Sequence, residues 1–459
     1  MKTHLMAMPL TCRRVVMVLA VAVVGITVAA SAPAFAQDEP QFSTWPKVEG
    51  SEDAKKYFDQ MKKGEFDAGS KAFLERIALP QLAGEGNRKQ IERTRRRMRD
   101  MLLNEKTTEA TALDKAAKTA VDWLMAQARN PQAEPVVRVN AMLLVGEIRG
   151  RDGRPWNGAI DPLATVMGDA ALPAAVRVAA AAGLAKHVEA TKAAGTPAPG
   201  LAQAATKPLL AVIASPASAA DGAAGDWLVS RALDMLPTVA AKSTPEAAAA
   251  LMAILADGGR PIDVRVRAAA ALGATATTTS NIDAGDAVAK IRGLAAEALK
   301  ADLASAMERA LTARMSGQPM MPTASPGSEG MMPPGFPGAG GNFGAGATVE
   351  DPIDSLVVRR DAWRLMTLAT AVATADGTAG LASLLADEAA ARAKGIAQTL
   401  RESAISLDQS PDAAAMKLAF VAIERLGQAA GPRAPATAKP AAAPATAPAA
   451  GSDPFGTGN

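Results

Sequence analysis

The sequence predicts an all-α chain, and three observations carry that expectation. The composition is 49% hydrophobic but only 3% aromatic, so the apolar content comes from Ala, Leu, Val and Met. Ala has the highest helix propensity and loses no side-chain entropy on ordering, which favours close-packed helices. Alternating runs of Val, Ile, Thr and aromatic residues, the mark of strands, are nearly absent after residue 40. Finally, apolar residues recur at i, i+4, i+7, i+8 and i+11 in five separate segments, a spacing that lays them along one helical face.

The first 36 residues read as a secretory signal. Arg13 and Arg14 close a positive segment, Val15 to Ala30 is charge-free and mainly apolar, and Ala34-Phe35-Ala36 supplies small residues at a cleavage site. Cleavage is expected after Ala36, leaving Gln37 as the new N-terminus. The apolar run is short for a spanning helix, which needs roughly 20 residues. This predicts an exported protein, periplasmic or extracellular. Lys2, Arg13 and Arg14 are three of the 49 basic residues, set against 46 acidic ones, so the body without the leader is neutral. A neutral body argues against nucleic acid as a partner, since that binding depends on displacing counterions with Lys and Arg. The single cysteine, Cys12, also lies in the leader. The mature chain is therefore expected to have no disulfide, no thiolate nucleophile and no cysteine-bound metal.

After an extended lead-in over 37–50, where Pro40 and Pro46 discourage helix, residues 51–130 predict a charged N-terminal helical cap. It comprises four helices that break near Gly64, at Pro80 to Gly86 and near Asn104 to Thr108. Residues 131–314 then repeat. Val137, Ala141, Leu144, Val145 and Ile148 set the register. Val176, Ala180, Gly183, Leu184 and His187 follow it, and so do Leu228, Ala232, Met235, Leu236 and Val239. A fourth copy has Val264, Ala268, Ala271, Leu272 and Thr275. The fifth, Val358, Ala362, Leu365, Met366 and Ala369, falls in a C-terminal helical part over 351–428. Arg follows the first apolar residue in four copies (Arg138, Arg177, Arg265, Arg359), with Val229 in that place in the third. The interval between the fourth and fifth copies can hold two units plus a linker.

With its Pro/Asp, Val-Arg, Ala and Leu-Gly pattern, the repeat resembles the HEAT family in its short bacterial form. The closest stretch is Pro261-Ile262-Asp263-Val264-Arg265 followed by Ala268 and Leu272-Gly273. The resemblance implies a solenoid of helical hairpins, a superhelix in which each unit buries its apolar face on its neighbours. It also implies a scaffold or adaptor role with protein partners. Two segments fall outside the stack. Residues 315–350, rich in Met, Pro and Gly, read as a flexible linker, and 429–459 as a disordered Pro/Ala tail.

The chain is expected to be non-catalytic. It has no G-x-S-x-G, H-E-x-x-H or Ser-x-x-Lys arrangement, and no Gly-Lys-Ser/Thr phosphate loop. No metal site, cofactor or small-molecule substrate is inferred. His187 would be the single histidine of the mature chain, and it reads as a half-buried structural residue. Met320-Met321 and Met331-Met332 have the thioethers that favour Cu(I), but no His or Cys fixes a geometry around them. The residues singled out for contact with a partner or an anion are Lys89, Arg93, Arg96 and Arg97, in a basic cluster over 88–99, and Trp156 in the turn Gly153 to Gly158. Trp227 and Trp363 read as core residues. The functional expectation is an exported scaffold for protein–protein interaction. The alternative is an envelope-associated structural protein touching cell wall or membrane through its basic N-terminal helices and its tail.

Overall fold

Ser51, Asp67 and Thr244 each start a helix in the same way. The side-chain oxygen accepts a backbone N–H three residues on, at 3.2, 2.8 and 3.3 Å, and so satisfies a donor the helix itself leaves open. The computed structural model describes residues 45–104, 106, 108–196, 198–215, 222–240, 242–316 and 355–429. These belong to one unit that begins at Phe42. The expected leader, the Met pairs of the linker and the Pro/Ala tail from residue 430 lie outside the described residues. Among the described residues the secondary structure is sixteen α-helices with short 3-10 and π turns, and no strand. None of these helices is long and apolar enough to cross a membrane.

The N-terminal part holds α1 (Trp45–Glu49), α2 (Glu52–Lys62), α3 (Ala68–Phe73), α4 (Ile91–Leu102) and α5 (Ala110–Arg129). The end of the expected extended lead-in is thus helical. Pro46 is the second residue of α1, where its missing N–H costs nothing. Tyr57 of α2 is buried and donates its hydroxyl to the Leu102 carbonyl at the end of α4, at 2.8 Å.

The remaining helices form two interleaved rows. One row contains α6 (Pro135–Val145), α8 (Ala174–Ala194), α10 (Gly222–Val239), α12 (Ile262–Thr275) and α14 (Ser355–Val372), each packed on the next. The other contains α7 (Ile160–Gly168), α9 (Leu201–Ala214), α11 (Pro245–Ala256) and α13 (Ala284–Ser316). α5 packs on α6, α7 on α8, α9 on α10, α11 on α12 and α13 on α14. At the far end α15 (Asp387–Gln409) lies on α14, and α16 (Ala413–Ala429) lies on both α15 and α13.

All five copies of the apolar pattern fall in the first row. Their residues are buried throughout, apart from the half-buried Met366. Two expectations need correction. The half-buried reading of His187 makes the last position of the register only partly buried. In fact Ile148, His187, Val239, Thr275 and Ala369 are all interior, Thr275 being accommodated by donating its hydroxyl to Ala271 O within its own helix at 2.8 Å. The wide interval between the fourth and fifth copies holds no extra hairpin among the described residues, because α14 packs directly on α12. The surplus is the length of α13 and the segment 317–354. In addition, α6 stops at Val145, so Ile148 follows the helix instead of riding on it.

The structure also explains the repeated arginine. Arg138, Arg177 and Arg265 each donate Nε to the carbonyl ten residues earlier, at Ala128, Met167 and Leu255, over 2.9, 3.1 and 3.2 Å. Those carbonyls lie at the C-terminal ends of α5, α7 and α11. A cation there satisfies an open acceptor and complements the helix dipole. In the third copy, where Val229 replaces Arg, the end of α9 is met from elsewhere: Arg260 donates to Ser215 O.

Two glycines allow the closest helix approaches. A Cβ on Gly146 would lie 2.5 Å from Gly183 Cα, and one on Gly273 would lie 2.3 Å from the Ala371 carbonyl oxygen. The α6–α8 and α12–α14 contacts are therefore backbone against backbone.

Candidate functional site

The basic cluster at residues 88–99 divides into an inner and an outer part. Ile91, Met98 and Leu102 turn inward as the spacing predicts, but so does Arg95, which is 8% exposed. Arg95 donates to Asn140 Oδ1 at 2.6 Å and pairs with Glu147 at 3.2 Å, joining α4 to α6 and the turn after it. It belongs to the interior of the fold and not to the surface patch. Arg88 pairs with Glu134, Arg96 with Glu92 and Arg99 with Asp100. Lys89 precedes α4, in a 3-10 turn over Glu85–Gln90. Lys89 and Arg93 are exposed, Arg97 is half-buried, and these three have no carboxylate partner among the described residues.

Trp156 stands apart from that patch, on the rim of a cleft of about 820 Å³ between the start of α5, the turn after α6 and the end of α8. The turn is stiff. Gly153 adopts the left-handed conformation at φ +73°, Arg149 bridges to Pro155, Gly150 N donates to Arg154 O at 2.9 Å, and Trp156 N donates to Ile148 O at 3.0 Å. The indole Nε1 donates to Asp114 Oδ1 at 2.9 Å. A Cβ on Gly158 would come within 2.3–2.6 Å of ring atoms Cη2, Cζ2 and Cζ3, so only glycine lets the indole rest there. The ring is therefore held at one edge and against one neighbour, half-buried, with the cleft before it.

Lys115, Lys118 and Arg154 contribute the cations of the cleft, and Asp114 and Asp152 its acids. The opposite wall is the loop after α8, where Gly195 and Gly200 both have positive φ and Ala198 N donates to Thr191 Oγ1 at 3.3 Å. No family model, no curated protein and no solved structure matches this chain.

His187 also borders the cleft but is only 2% exposed, and its Nε2 has no hydrogen-bond partner. It is a fully interior histidine, not the half-buried one expected. Burial first, and then neighbouring Lys186, push its pKa down to about 4, so it is neutral near pH 7. Among the described residues no group of three or more His, Cys, Asp or Glu side chains is placed to hold a metal ion.

A second surface crosses the first row. Arg231 stacks over Trp227 at 5.2 Å and pairs with Asp234 at 3.5 Å, both on α10. Asp234 also pairs with Arg267 of α12, whose guanidinium lies 5.2 Å over Trp363 of α14. Trp363, expected in the core, is 39% exposed and forms the open end of this ladder. Sequence spacing places it beside the buried face, and the Arg267 guanidinium covers one side of its ring.

Behind the ladder lies a buried ionic cluster. Arg364 of α14, 5% exposed, donates to Asp263 of α12 at 2.7 Å, to Asp302 of α13 at 2.8 Å and to Asp361 at 2.8 Å. Arg360 grips both oxygens of Asp302 at 2.9 Å. Asp361 is completely enclosed, and its Oδ2 has no partner. Burial and the nearby Asp302 push its pKa up to about 7, against the opposing pull of Arg364. Nothing in the spacing of Asp263, Asp302 and Asp361 along the sequence signals that three helices bring them together.

Proposed function

We propose that this chain is an exported, non-catalytic scaffold of HEAT-like hairpin repeats that binds protein partners through the outward side of its first helical row. One observation supports this most: helices bearing the same apolar register pack one on the next and carry the Trp227–Arg231–Asp234–Arg267–Trp363 ladder across three of them. An extended aromatic and charged surface spread over several repeats suits recognition by shape and charge. Trp and Arg are the side chains that dominate protein interfaces. The secretory leader read from the sequence supplies the export half of the reading.

The test is quantitative capture from the envelope extract of the source cell, using the full mature chain and an R231E/W363A variant. A partner retained by the wild type and lost by the variant, at matched melting temperature, is the expected result. Equal retention by both would remove the ladder from the binding surface. The unpaired Lys89, Arg93 and Arg97 favour a second reading, an envelope element held at an anionic surface. Under that reading the chain pellets with envelopes and salt releases it.

A further inference from the structure

We propose that the cleft beside Trp156 binds an acidic oligosaccharide, with one sugar ring stacked on the indole and its carboxylates met by Lys115 and Arg154. The first support is the fixed ring. Trp156 is oriented in advance by Asp114, by Gly158 and by the stiff turn that carries it, so little side-chain freedom is left to lose on binding. A flat aromatic face of this kind matches the C–H face of a pyranose.

The second support is the balance of uncommitted charge. Asp114 is occupied by the indole N–H, and Asp152 accepts the backbone N–H of Arg154 at 3.0 Å. Lys118 is paired with Asp122 at 3.0 Å. Lys115 has no acidic partner among the described residues, and the Arg154 guanidinium approaches Asp152 no closer than 3.9 Å. Asp114 and Asp152 keep their negative charge, so the lining as a whole, with Lys115, Lys118 and Arg154, carries one net positive charge. His187 adds no charge at neutral pH, so a ligand carboxylate would be met by Lys115 and Arg154.

The third support is size. About 820 Å³ falls within the roughly 300–1,000 Å³ of small-ligand sites and suits a short chain of sugar rings. A proline-rich peptide fits less well. Such segments dock in grooves lined by several large aromatic rings, and Trp156 is the one Phe, Tyr or Trp among the described residues lining this cleft.

The experiment is calorimetric titration of the full chain with hexagalacturonate, set against cellohexaose of equal length and a hexaglutamate peptide of equal charge. Hexagalacturonate should bind, and each comparison ligand should bind at least tenfold more weakly. W156A and K115E/R154E should each weaken hexagalacturonate at least tenfold. The second variant alters only exposed side chains, so its fold is preserved even if W156A is destabilised. The proposal is overturned if hexagalacturonate does not bind or if hexaglutamate binds equally well. It is also overturned if K115E/R154E binds like the wild type.

Discussion

Replacing Arg364 by alanine is expected to lower the unfolding free energy by about 3–5 kcal/mol, the usual range when one partner of a buried ion pair is removed. The guanidinium is the shared donor for Asp263, Asp302 and Asp361, on three different helices. Without it, three carboxyl groups face one another with only Arg360 remaining, and that cation reaches Asp302 alone. Denaturant unfolding at pH 7 measures the loss; a change under 1 kcal/mol would show that the cluster contributes little.

The same cluster imposes a pH dependence of definite sign. Asp361 titrates at about 7 in the folded chain, against an ordinary 3.8, so the native state holds a proton that the unfolded state has released. Its contribution is complete below about pH 4 and falls as pH rises through about 7. His187 acts in the opposite sense. Its folded value of about 4 lies below the ordinary 6.5, so its contribution is complete above about pH 6.5 and is lost as pH falls toward 4. Over the shared window the two slopes offset each other. D361N should expose the histidine slope. The stability of D361N relative to wild type should climb between pH 4 and 7 by a few kcal/mol, since a tenfold difference in proton affinity between folded and unfolded chain is worth about 1.4 kcal/mol. Parallel wild-type and D361N curves in that window would refute the assignment.

Gly273→Val is expected to cost about 3 kcal/mol, the upper end of what overpacking commonly does. The added Cβ would meet the Ala371 carbonyl oxygen at 2.3 Å and Ala371 Cα at 2.5 Å, both backbone atoms that no rotamer change can move. Helices α12 and α14 would have to separate, disturbing Arg364–Asp263 and the Arg267–Trp363 stack along with the local packing. Loss of indole shielding at Trp363 should appear as a fluorescence change in the native state, before any unfolding.

The all-α class and the buried register were legible because both are local properties. Ala content sets helix propensity, and a period near 3.6 identifies which of Val264, Ala268, Ala271 and Leu272 share a face. What escaped depends on contacts distant in sequence. Arg95 looks like its neighbours in the run Arg95-Arg96-Arg97, and only Asn140 and Glu147, on the far side of α5, show that it is interior. Trp156 stands out in the sequence as a tryptophan in a turn, but its cleft needs Lys115 and the loop after α8 brought to it. The adjacency of α12 and α14 was hidden by the intervening 317–354. One signal does lie in the sequence: the repeated Arg stands ten residues after the carbonyl it meets, a spacing constant across three copies.

The join across residues 317–354 has one more consequence. Helices α14 to α16 are seated by contacts with α12 and α13: the Arg360 and Arg364 pairs with Asp302, and Arg292 of α13, which donates to Leu426 O of α16 at 3.2 Å. None of these contacts depends on a continuous backbone between 316 and 355. Fragments ending at 316 and starting at 355 are therefore expected to reassociate when mixed, which co-purification of the two would check.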